Sequence, residues 1–181
     1  MTAPTATATN TWKIDPSHSS VEFSAKHMMF TTVKGRLSDV EGTIEINGES
    51  PESAVVKATM KAASIDTRSE QRDGHLRSAD FLDVETYPEV TFKSTKIAGS
   101  KDRFTITGDL TIRGTTKPVT LDATYEGKGI DPWGGERLGF SADAKIDRRE
   151  FGLTWNQALE AGGVLVSNDI KLHIDAQLVR A

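Results

Sequence analysis

Along most of this chain apolar and polar residues alternate one for one. Residues 20–27 put Val21, Phe23, Ala25 and His27 on one side, with Ser20, Glu22, Ser24 and Lys26 on the other. The pattern returns in Phe104, Ile106, Leu110 and Ile112, in Val119, Leu121, Ala123 and Tyr125, and in Leu138, Phe140, Ala142, Ala144 and Ile146. Ile170, Leu172, Ile174, Ala176 and Leu178 repeat it, as do Ala54, Val56, Ala58 and Met60, while Val90 and Phe92 begin one more run. Successive side chains of a strand point to opposite faces, so this periodicity predicts half-buried antiparallel strands with one apolar face. One segment changes phase. In VKGRLSDVEGTIEI, Val40, Gly42, Ile44 and Ile46 share a face that excludes Val33 and Leu37, which calls for a bulge or bend between Gly35 and Asp39.

Turn signals separate the runs: NGESP at 47–51, AGSKD at 98–102, RGTTKP at 113–118 and GIDPWGG at 129–135. About eight strands result, several longer than the usual ~5–6 residues. Long antiparallel strands with one apolar face predict an all-β fold, an extended antiparallel barrel whose closure removes exposed edges. A sandwich is the alternative. Two interruptions break the pattern. Thr67 and Glu70 have the spacing of a capping box, predicting a short helix to about Asp83, with Asp73 and Arg77 four apart on it. Tyr87 before Pro88 is pushed extended and launches the next strand. TWNQALEAGG at 154–163 reads as a second helical excursion, and residues 1–10 as a disordered tail ahead of one domain at 11–181.

Composition narrows the function classes. With 181 residues one core is expected. The net charge of −4 argues against a nucleic-acid surface or an anionic membrane surface, both of which favour a basic patch. No cysteine is present, which removes disulfides, thiolate metal sites and cysteine nucleophiles. MTAPTATATN lacks the basic start and apolar run of a secretory signal, so a cytoplasmic location is expected unless a leader has been removed. No apolar run approaches the ~20 residues of a membrane span, so no stable membrane insertion is expected.

Chemistry concentrates in RDGHLRSADFLDVETYPEVTF at 72–92. His75 with Asp73 or Asp80 would be the pair of a hydrolase or metal-dependent enzyme, yet Arg72 and Arg77 beside the carboxylates would hold them ionised, as in an ion-pair latch. The four histidines (His18, His27, His75 and His173) have no metal-ligand spacing. His27 continues the apolar face of its strand, and is either a core histidine or a polar contact within a cavity. Arg148 and Arg149 read as a solvated strand end. The inward set mixes phenylalanines with Ala25, Ala58, Gly108, Ala123, Ala142, Ala144 and Ala176. An eight-stranded barrel so lined either keeps room for one long apolar guest or is filled by its own side chains.

DPSHSSVEFSAKHM, VKGRLSDVEGTIEI, SIDTRSEQRDGHLRSADFLDVETYPEVTFKS, GDLTIRGTTKPVTL and the late FGLTWN together resemble the YceI-like family of lipocalin-fold proteins, over about residues 11–179. The resemblance implies a barrel whose apolar pore holds a polyprenyl phosphate, a quinone tail or another long-chain lipid, with no catalytic residues, no metal and no cofactor beyond that lipid. Transport and stress-response roles go with it. It assigns the pore lining to Phe23, His27, Phe92, Phe104, Phe140 and Trp155, to which alternation adds Ala25, Ile44, Ile106, Leu121, Leu172 and Ile174, and Phe30 joins as the aromatic just past His27. DFLD stands where DFFD is common in the family, which puts Leu82 at an aromatic position expected to shape the pore mouth. The expected partner is an isoprenoid or other long-chain lipid, with a homodimer left open and a ligand-free stress-response barrel as a further alternative.

Overall fold

The computed structural model describes residues 8–48 and 50–181. Eleven strands form one antiparallel sheet. They are β1 (Thr9–Ile14), β2 (Ser20–His27), β3 (Thr31–Leu37), β4 (Val40–Asn47), β5 (Val55–Lys61), β6 (Ile65–Asp66), β7 (Glu89–Ser100), β8 (Arg103–Ile112), β9 (Thr115–Ile130), β10 (Glu136–Asp147) and β11 (Asp169–Arg180). Three long strands are each broken once: β1/β2 at the 3-10 turn Pro16–His18, β3/β4 at Ser38–Asp39, and β5/β6 at the 3-10 turn Ala62–Ser64. Counting each broken strand once leaves eight, which neighbour one another in chain order. The sheet closes where β11 pairs with both halves of the first, Ile14 opposite Leu178 and Val21 opposite Ile174. This is a closed up-and-down barrel, so the sandwich is set aside.

Each break flips the phase of the inward-facing residues. Ile14 faces in before the first break and Val21 and Phe23 after it, Leu37 before the second and Val40 after it, Met60 before the third and Ile65 after it. Without such a reset the apolar set would turn to solvent halfway along the strand. The resets belong to the strands that must bend.

Since neighbours run antiparallel, connections fall at two ends. One end carries the connections β4–β5, β7–β8 and β9–β10. The other carries the turns β2–β3 and β8–β9, a helix α1 (Glu70–Arg77), and the segment joining β10 to β11. At this second end the core is densest: Met60, Ala62, Phe81, Val90, Ile112, Ile146, Phe151 and Leu153 are all buried together. Each of the larger side chains stabilises by about 1.5–3 kcal/mol, so the helix end anchors the fold.

Several expectations need correction. The cap of α1 is Ser69, whose hydroxyl accepts from the Arg72 amide at 3.4 Å, and the helix ends at Arg77 instead of near Asp83. Thr67 instead donates from both its amide (2.9 Å) and its hydroxyl to the buried Asp73 carboxylate, which keeps Asp73 from Arg77. The stretch 154–163 forms no helix. Its backbone turns at Leu159–Gly163 and bridges from Ala158 to Val164, just before Val166 bridges to His27, so the described residues hold one α-helix. Residues 1–7 of the expected tail lie outside the described residues, while Thr9 and Asn10 already belong to β1.

Candidate functional site

The inward faces enclose an elongated cavity of ≈590 Å³. Strands of twelve residues at about 3.3 Å each, tilted about 40°, stand roughly 30 Å tall. A space of that volume drawn out along the lumen suits an extended chain better than a compact ring. Only Lys101, Tyr125, Ser141 and Arg148 among its lining residues bear a polar group on the side chain. At the hairpin end the wall includes Pro51 and Lys101, both solvent-exposed turn residues, so the cavity reaches the surface there. At the helix end it stops against Phe81, Leu153, Ile65 and Arg148, all buried.

Two phenylalanines explain how the lumen stays open. Phe23 lies over Gly35 on the neighbouring strand, and Phe92 over Gly108, so closely that a Cβ on either glycine would collide with the ring. The rings therefore lie back against the wall. At Gly108 the sequence pattern suggested free space, and a neighbour's ring occupies it; the remaining lumen is nonetheless not filled by the protein's own side chains.

The closed end is held by arginines bonded to carbonyl oxygens. Arg148 is only 3% exposed and donates to the carbonyls of Leu153 (2.6 Å), Trp155 (2.9 Å), Ser167 (2.9 Å) and Val166 (3.4 Å). Burial pushes its guanidinium below the ordinary value, opposed by the neighbouring Asp147 charge. Arg77 donates to Ala63 and Ile65 carbonyls at 2.9 and 3.0 Å, and Arg72 to the Thr67 hydroxyl and carbonyl at 2.7 and 2.8 Å. The latch expected from charge density exists, but it works through backbone oxygens in place of ion pairs. Reading Arg148 as solvated is overturned: alternation carried past Ile146 by two residues places it inward.

The lining residues named from sequence divide cleanly. Phe23, Ala25, Ile44, Phe92, Phe104, Ile106, Leu121, Phe140, Leu172 and Ile174 stand on the cavity wall. His27 does not: β2 ends there, and its ring is solvent-exposed. Phe30 is 73% exposed in the β2–β3 turn. Trp155 is half-buried behind the wall, its ring 5.4 Å from Phe81 and 4.7 Å, edge-on, from His75. Leu82 lines the closed end, not the mouth. Sequence reasoning missed Leu76 and Phe81 at that end, where the chain leaves regular alternation.

The histidines and carboxylates stand apart from the lumen. His75 Nε2 meets Asp80 at 2.8 Å on the surface, and Asp73 is turned to Thr67, so no His–Asp–Asp constellation forms. Among the described residues no group of three or more His, Asp or Glu is placed to hold a metal, and no helix is long and apolar enough to cross a membrane. On the outer wall His173 lies between Asp143 (2.7 Å) and Asp175 (3.2 Å), and its hydrogen bond to the Asp143 carboxylate raises its pKa. A raised folded pKa adds stability that is complete below the unfolded value of about 6.5 and disappears as pH climbs through the folded value. Thermal melts should therefore show a small loss of stability as pH rises from about 6 toward 8. His173→Gln should abolish that slope, and an unchanged slope would assign it elsewhere.

A family model described as the YceI-like domain matches residues 12–178. Protein YceI of Escherichia coli O157:H7 is 43% identical over 144 residues, covering 78% of this chain and 75% of that protein. The crystal structure of Burkholderia cenocepacia BcnA superposes with a TM-score of 0.79 at 21% identity, covering 91% of this chain and 98% of BcnA. A domain from Saccharophagus degradans, described as polyisoprenoid-binding and implicated in plant cell wall breakdown, gives 0.67 at 12% identity over 94% and 98%. At those identities the two structures speak for the fold alone.

Proposed function

The chain belongs to the YceI-like family, and from that premise we propose that its lumen binds a long-chain isoprenoid lipid, a polyprenyl phosphate or a quinone tail, to store or carry it. The observation that carries this reading is the narrow apolar cavity of ≈590 Å³, closed at one end and open at the other. The polyisoprenoid-binding description of the Saccharophagus degradans domain points the same way. Apolar burial yields about 25 cal/mol per Å², so a chain threaded along the lumen gains affinity without many hydrogen bonds. Part of that gain is offset by ordering a flexible tail. The tail enters at the Lys101 end and runs past Phe140, Phe104, Leu121, Ile106, Ile174 and Ile44 towards Leu172, Phe92, Phe23 and Ala25.

No separate cofactor belongs to this reading, and the protein acts as a carrier rather than an enzyme. Organic extraction of protein purified from its native cells should release one long-chain isoprenoid by mass spectrometry, and His75→Ala should release as much. Protein that is always empty and takes up no added polyprenol or quinone sinks the proposal. Loss of lipid in His75→Ala with the fold intact would return that residue to the functional site.

A further inference from the structure

We propose that the β2–β3 turn is a docking tip for an anionic phospholipid bilayer, whatever the lumen holds. Met28, Met29 and Phe30 follow one another at 40%, 60% and 73% exposure, half of the large apolar side chains left exposed among the described residues. Single exposed apolar residues are ordinary on a protein surface; three in succession at one extremity are not.

The tip is built, not frayed. Met28 and Met29 both have left-handed backbone, φ 52° and 71°, where glycine or asparagine would be less strained. The Met28 amide donates to the Leu165 carbonyl at 2.8 Å, His27 bridges to Val166, and Met29 packs on Gly163. The surrounding structure thus holds a strained turn in place with its apolar side chains outward.

Charge selects the occupant. On the outer face beside the tip, pairing aligns Lys145 with Lys171, Lys171 with Ser24, and Ser24 with Lys34, and Lys26 stands one step nearer the tip. Asp169 and Asp147 are taken by Lys145 at 3.7 Å and Arg149 at 2.6 Å. Lys34, Lys171 and Lys26 have no carboxylate partner among the described residues; Lys26 donates to the Thr32 hydroxyl at 2.6 Å. Glu22 lies further up β2, between Arg36 and His173, and Glu150 and Glu160 sit on the segment joining β10 to β11. An apolar wedge beside unpaired lysines matches an interface of acyl chains under anionic headgroups. The net charge of −4 hides this basic strip. At the opposite end Ile130 and Trp133 are also exposed, but the charges on the strands that carry their turn are matched, Lys128 and Arg180 with Glu136, and Arg137 with Asp131 and Asp15.

The test is co-sedimentation of the full chain with vesicles of phosphatidylcholine, with and without phosphatidylglycerol. Binding should require phosphatidylglycerol and weaken in high salt. Phe30→Glu and Met29→Glu should each weaken it about tenfold or more, Lys34→Glu and Lys171→Glu about fivefold or more each, and Trp133→Glu not at all. Melting temperatures report that the variants stay folded. Absence of wild-type binding, full binding by both tip variants, or loss in Trp133→Glu alone overturns the proposal. So does a dimer in solution that Phe30→Glu splits, which would make the tip an interface between copies of this chain.

Discussion

Ala176→Trp is expected to leave the barrel folded and empty. Ala176 is a half-buried lumen residue on β11, paired across to Phe140, whose ring lies 5.3 Å from that of Tyr125. These residues stand in the half of the lumen nearer the hairpin end, through which the tail must pass. An indole projecting from position 176 fills space the tail needs, and the closed sheet around it has little freedom to widen. Overpacking of this kind costs about 1–3 kcal/mol, which at about 2–4 °C per kcal/mol for a domain of this size lowers the melting temperature by roughly 12 °C at most. Loss of the guest is the larger effect. Isoprenoid per mole of protein should fall about tenfold or more, since each tenfold needs only about 1.4 kcal/mol. Ala176→Val, a smaller intrusion, should retain most of it. Undiminished lipid in Ala176→Trp would mean that the tail lies elsewhere.

Much of this architecture is legible in the alternation. Ten of the thirteen lining residues named from sequence stand on the wall because regular strands project them there. The misses share a cause. His27 forms the last pair of β2, past the end of the lumen, and Phe30 sits in the turn beyond it, where the period of two carries no information. Trp155 lies in irregular chain, where tertiary packing on Phe81 and His75 decides its place. The phase resets are legible only where both halves of a broken strand alternate, as in β3/β4; those at Pro16–His18 and Ala62–Ser64 need the register. Gly108 shows the limit of counting small residues as space, because a diagonal phenylalanine reaches over it. The dense charges of 72–92 misled in a similar way: Arg72 and Arg77 are spaced for ion pairs, but the free carbonyls of chain leaving the sheet are closer partners.

That same demand makes Arg148→Ala the most damaging single change expected in the molecule. The segment from Leu153 to Ser167 crosses the closed end without helix or long strand, so its buried carbonyls have few amides to accept from. One guanidinium, with five donors in a rigid fork, serves four of them at once. Removing it strands the carbonyls of Leu153, Trp155 and Ser167 (that of Val166 keeps the Asn156 amide at 2.8 Å) and opens a void, a loss of about 3–5 kcal/mol by analogy with breaking other buried charged networks. The melting temperature should drop by about 10 °C or more. Arg148→Met restores much of the volume but no donor, so it should recover little. Arg148→Lys offers three donors on a flexible stem and should fall between. The consequence reaches the lumen, since Leu153 and Val166 wall its closed end and Trp155 backs Phe81. Limited proteolysis should then cut first within 153–167, and bound lipid should leave faster than from the wild type. If Arg148→Ala melts like the wild type, the carbonyls have found water or other donors, and the closed end owes its order to the apolar cluster of Phe81, Phe151 and Leu153 alone.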